Sequence, residues 1–280
     1  MNKHGLARDI PEDIKRQVRR ECGNGCVLCG ILPYDYEHFD PPFVDAKEHR
    51  AEGIALLCDR HHRAKQMLGT ADIAAARLAP YNAGKSAQWQ VELGRVGSRT
   101  LVVGNNKFVV EGVLSAGIVL DGRTLIALGR DETGAWLLSA NLRDDDGRAA
   151  LTIFENEAVI HQGLWDVTLE GKSLIIRSAP RRIVAVLSID GDTGVVELER
   201  LNMVIAGGYK LDVDSSALTV SSATHRCWFD LSLSGNTISY GPGCNAPSGT
   251  VLGINLGGIV VGDERVEDWA RVAPARLRSV

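Results

Sequence analysis

Two phrases decide how the chain reads: Cys26-Val-Leu-Cys29-Gly30 and Cys58-Asp-Arg-His61-His62-Arg-Ala-Lys65-Gln66. Each offers a pair of soft ligands two residues apart, the spacing at which neighbouring side chains close on one metal ion. Between Cys29 and Cys58 lie 28 residues, enough for a small folded loop. The doubled pairing favours a structural Zn2+ held by Cys26, Cys29, Cys58 and His61 over four merely buried thiols. Adjacent residues on a helix point about 100° apart, so His61 and His62 belong to different sites. Spacing from Cys58 gives His61 to the zinc. Four of the six cysteines fall between positions 22 and 58, a metal pattern and not a disulfide framework, which suits a cytoplasmic protein.

Outward from this knuckle, Pro11-Glu-Asp-Ile-Lys-Arg-Gln-Val-Arg-Arg-Glu21 reads as a short helix. Acids lie in its first turn, bases follow, and Ile14 and Val18 form its apolar stripe. Its basic side is either a phosphate-facing surface or a solvated one. Prolines 33, 41 and 42 assign residues 31–45 to a loop and short hairpin. Ile54-Ala-Leu-Leu57 reads as a buried strand. Asp59 starts a helix through about Leu68, and a further helix runs from Asp72 to Leu78 with Thr70 as its candidate cap. The whole chain carries a formal charge of -4, yet residues 1–85 hold 13 Lys/Arg against 12 Asp/Glu. Any contact with nucleic acid is therefore expected from the N-terminal part, through Arg16, Arg19, Arg20, Arg60, Arg63 and Lys65.

From about residue 100 the period changes to two. Trp136, Leu138, Ala140 and Leu142 alternate with more polar neighbours, as do Leu211 and Val213, and Asp-Gly and Glu-Gly turns recur between the runs. The apolar phase slips between Leu198 and Leu201, which predicts a bulge near Arg200. The fold class expected is α+β: a small zinc-bound ββα domain in residues 1–85, a linker at 86–99, an all-β domain over 100–265 and a tail at 266–280. For the β domain a sandwich or roll comes first and a β-solenoid second. Trp165-Asp166 reads as core in preference to a ligand site, and Cys227 and Cys244 as free thiols. The chain start has no apolar run of signal type, and no apolar run reaches the ~18 residues of a membrane span.

Residues 15–80, through Cys26-x2-Cys29, Glu37-His38 and Cys58-x2-His61-His62, resemble the HNH endonucleases, a ββα-metal nuclease family. The resemblance implies a hydrolase that cuts DNA phosphodiester bonds. By the same resemblance His38 is the general base, and Glu37 with His62 hold a catalytic divalent ion, Mg2+ or another. It also favours Cys26/Cys29 over Cys22 as the first zinc pair. In this chain Gly53 stands where many members carry an Asn that fixes the loop bearing the base; His49 is the candidate to take over part of that role. The alternative is a catalytically decayed, zinc-stabilised module that binds nucleic acid or protein. The β domain is then expected to serve targeting, sensing or assembly, and the oligomeric state is open.

Overall fold

A computed structural model describes residues 1–94, 97–110, 116–120, 123–205, 209–221, 226–229, 237–240, 250–255 and 258–263. It is a mixed α+β protein made mostly of strands. The chain divides into two compact units. The first comprises Met1–Gln90 together with Val159–Leu169 and Arg177–Arg181; the second comprises Val91–Ala158, Glu170–Ile176 and Arg182–Val280. Cys244 and the stretch 266–280 lie outside the described residues, as does the side chain of Cys227. Among the described residues no helix is long and apolar enough to cross a membrane.

In the first unit, helix α1 spans Glu12–Glu21, with Pro11 just before it. Glu12 and Asp13 complement the positive end of the helix dipole, and Arg19 and Arg20 the negative end. Strands β1 (Ile31–Leu32), β2 (Asp35–His38) and β3 (Ile54–Leu57) follow. Next come helix α2 (Asp59–Arg63), a 3-10 turn at Ala64–Gln66, helix α3 (Thr70–Leu78) and strand β4 (Ala87–Gln90). The helix expected to run to Leu68 thus tightens after one turn, and the helix expected from Asp72 starts at Thr70, with Gly69 as its cap. Strand β4 lies in the stretch read as a linker, pairing parallel to β1 through Ile31↔Gln88 and Leu32↔Trp89.

All four residues of β3 are buried, and β2 runs antiparallel to it with Glu37 opposite Ala55 and His38 opposite Ile54. The core of this unit gathers Ile10, Val18, Val27, Leu56 and Ile73 around β3. Arg77 of α3 threads into that core, donating from Nε to the carbonyl of Ile54 (2.9 Å) and from Nη2 to Glu21. Its guanidinium satisfies backbone acceptors that burial would otherwise leave without partners.

In the second unit, Ala116–Leu120, Arg123–Arg130, Trp136–Arg143 and Ala149–Phe154 form an antiparallel meander. Thr250–Asn255 joins its first strand in parallel. A second sheet carries Arg182–Asp190, Val195–Ile205, Tyr209–Val213, Leu218–Ser221 and Arg226–Phe229 in antiparallel succession. The sheets meet where the Val204 N–H donates to the carbonyl of Asp144 (3.1 Å). Trp136–Arg143 shows the expected alternation, every second residue buried. The expected bulge is present: Val186 pairs with Arg200 and Leu187 with Leu198, so Glu199 is the extra residue. Among the described residues these are meanders with a few parallel joins, not the stacked parallel coils of a solenoid.

Candidate metal centre and adjoining cleft

The knuckle forms because Cys26-Val-Leu-Cys29-Gly30 folds back on itself. The Gly30 N–H donates to Cys26 O (2.7 Å) and the Cys26 N–H to Ile31 O (3.1 Å), while the Val27 N–H bonds Leu56 O (2.9 Å) on β3. Gly30 has a φ of +77°, and a Cβ there would lie 2.2 Å from Asn82 Oδ1. Only glycine takes that backbone and leaves that space. Asn82 is buried, and its Nδ2 donates to Gly30 O (2.8 Å) and Gly23 O (3.2 Å). Nothing local in the sequence marks Asn82 as the brace of the knuckle.

Opposite the knuckle, α2 starts from Cys58. The Sγ atoms of Cys26, Cys29 and Cys58 and a ring nitrogen of His61 all lie within 4.8 Å of one another. Cys29 Sγ is 3.7 Å from Cys58 Sγ, and His61 Nδ1 is 3.3 Å from both Cys26 Sγ and Cys58 Sγ. Tetrahedral Zn2+ with Zn–S of about 2.3 Å and Zn–N of about 2.0–2.1 Å sets its ligand atoms ~3.8 and ~3.6 Å apart. The four residues therefore fit a structural zinc. Burial, and then the neighbouring thiols, push the Cys29 thiol up to about 12, so the proton set strongly resists thiolate formation unless a cation compensates. Burial and the Arg60 guanidinium hold His61 below its ordinary value, which keeps the ring a neutral donor. Cys22 stands outside the group as a buried thiol, pushed up to about 11 by burial.

His62, one position along α2, faces elsewhere. Its Nε2 is 2.9 Å from Glu37 Oε2, and Lys65 Nζ is 2.8 Å from the same oxygen. These three side chains and His38 line a cleft of about 540 Å3 to which Arg8 and Lys15 also contribute. Burial, and next the ring of His49, hold His38 below the usual histidine range, so its imidazole is neutral at neutral pH. His38 Nε2 lies 3.0 Å from His49 Nδ1, and His49 Nε2 lies 3.1 Å from the carbonyl of Ala7.

Gly53 is explained by packing. A Cβ there would stand 2.1 Å from the carbonyl oxygen of Asp40, so no larger residue fits this backbone. Its own carbonyl accepts from the Phe39 N–H (3.0 Å), fixing the loop beyond His38 through the main chain.

The expected nucleic-acid contacts divide. Arg20, Arg60 and Arg63 are exposed, Arg63 pairing with Asp59 one turn back at 2.8 Å. Arg19 is a correction: its side chain is 1% exposed and bidentate to Asp166, at 2.8 and 3.0 Å, with further bonds to Glu12 and Tyr36. It is a core residue with no reach to a phosphate. Arg16 lies over the ring of Trp165 at 4.4 Å and 3.6 Å from Asp166. Lys15, on the basic side of α1, reaches the cleft, and only the folded path of residues 7–10 brings Arg8 there beside it.

Comparison with protein-family models, with curated proteins and with solved structures returned no match to this chain.

Proposed function

We propose that this protein is a metal-dependent HNH-type endonuclease that hydrolyses DNA phosphodiester bonds. One observation carries the reading: Glu37, His38 and His62, from two elements, line a single cleft beside a separate Cys3His group. Glu37 Oε2 and His62 Nε2 lie 2.9 Å apart, close to the ~3.0 Å between adjacent ligands of an octahedral ion at about 2.1 Å. These two residues would hold the catalytic ion, which when bound supplies positive charge to the phosphate and the departing oxygen. His38, neutral at neutral pH, takes the proton from the attacking water, a role worth ~10²–10⁴-fold. Lys15 and Arg8 supply positive charge along the cleft for the flanking phosphates, with Arg20, Arg60 and Arg63 outside it. Lys65 neutralises Glu37 from the solvent side and is free to turn to a phosphate, its side chain being 38% exposed. The β-rich part serves targeting, sensing or assembly.

Lys65 also favours the second reading, a zinc-stabilised binding module without cleavage, because an ammonium already sits on the carboxylate the ion would need. The two separate in a plasmid assay. The endonuclease reading expects Mg2+- or Mn2+-dependent nicking of supercoiled DNA that is lost in His38→Ala while zinc content and DNA binding persist. DNA binding with no nicking under any divalent ion would leave the module instead.

A further inference from the structure

Imidazole carries two different nitrogens, and a general base needs the correct one bare. Two contacts decide which in His38. The Ala7 carbonyl can only accept, so the His49 Nε2 that lies 3.1 Å from it bears the hydrogen. In the neutral form of His49 that leaves Nδ1 bare, to accept from His38 Nε2 at 3.0 Å. His38 is left with an unprotonated Nδ1, which makes no hydrogen bond among the described residues, and the side chain lines the cleft.

The relay is anchored at its far end. Asn2 Nδ2 donates to the carbonyls of Phe43 and Ala46, both at 2.6 Å, and Asn2 Oδ1 accepts from the N–H groups of His4 and Leu6, both at 3.0 Å. The Phe43 ring stacks on His49 at 17° between planes. The N-terminal arm and the loop carrying His49 are therefore tied together just ahead of the Ala7 carbonyl.

We infer that His49 is a positioning residue which, through the Ala7 carbonyl, fixes His38 in the Nε2–H tautomer with Nδ1 free to take a proton. The inference rests on the nuclease reading for its consequence in rate, but the tautomer itself can be observed without it. Asparagine places its amide oxygen near the position of imidazole Nδ1; glutamine places its amide nitrogen near that of Nε2. His49→Asn keeps an acceptor for His38, whereas His49→Gln keeps only the link to Ala7.

The test has two arms on the full-length, zinc-loaded chain. In Mg2+-dependent nicking, His49→Asn is expected within about threefold of the wild type, while His49→Gln and His49→Ala fall ~10–100-fold, the usual scale for a group that orients a functional histidine. In long-range 1H–15N spectra without added Mg2+, wild-type His38 is expected to show Nε2–H and a bare Nδ1, and His49→Ala a mixture of tautomers. Glutamine matching asparagine in rate, or a wild-type His38 protonated at Nδ1, would overturn the relay. Wild-type protein that never nicks DNA would remove the nuclease reading, and the spectrum would still decide the tautomer.

Discussion

Asp166 takes both of Arg19's parallel N–H bonds with each side chain 1% exposed, so this pair stands inside the protein and not on its surface. Burying two charges costs free energy that their attraction roughly returns, yet removing one partner leaves the other uncompensated. Asp166→Ala should therefore lower unfolding stability by about 3–5 kcal/mol, read as a shift in denaturation midpoint. The double variant Arg19→Met with Asp166→Leu should recover part of the loss, because neither member of the buried pair is left facing an empty place, although Arg16, Arg177 and Glu12 each lose an ion-pair partner. Asn82→Ala should cost about 1–3 kcal/mol, since two carbonyls of the knuckle lose a buried donor; equilibrium unfolding of the zinc-loaded protein checks it. Neither role was legible in the sequence. Arg19 and Asp166 lie 147 residues apart, and no local period ties an arginine on a helix to an aspartate that opens a distant strand.

At the scale of elements, helix α2 turns two adjacent histidines to two jobs. His61 closes the thiol cluster and His62 meets Glu37, as the helical angle between neighbours requires. That much was legible, because ligand pairs two residues apart and helix geometry are local properties. The N-terminal arm was not legible: it is held through main-chain carbonyls of Phe43 and Ala46, which any sequence supplies. A structural ion contributes folding energy directly, so stripping zinc with a strong chelator should unfold the region around β3. Loss of helical circular dichroism with retention of the sheet signal would register this, and Cys58→Ala or Cys29→Ala should reproduce it without chelator. A chelated protein whose helical signal is unchanged would mean that β3 and its helices stand without the ion.

For the whole molecule, the period-two alternation of residues 136–142 and the phase slip at Leu198 made the strands and one bulge readable in advance. The joins were not readable. Val195–Leu198 pairs in parallel with Thr100–Val103, a partnership that only tertiary contact specifies. The first unit likewise draws in residues 159–169 and 177–181 from far along the chain. A fragment ending at residue 90 therefore lacks Asp166 and leaves Arg19 without its main partner. It should melt lower than the same region in the full chain, and pulse proteolysis of the two proteins under identical zinc would show the difference. The proposed nuclease requires α2 to separate a structural site from a catalytic one. Its most direct measurement is zinc content together with Mg2+-dependent plasmid nicking, made on the same preparations of His61→Ala and His62→Ala. Zinc loss and unfolding are expected for His61→Ala, and full zinc with at least about tenfold slower nicking for His62→Ala. A folded, zinc-loaded and active His61→Ala protein, or a His62→Ala protein that nicks like the wild type, would contradict it.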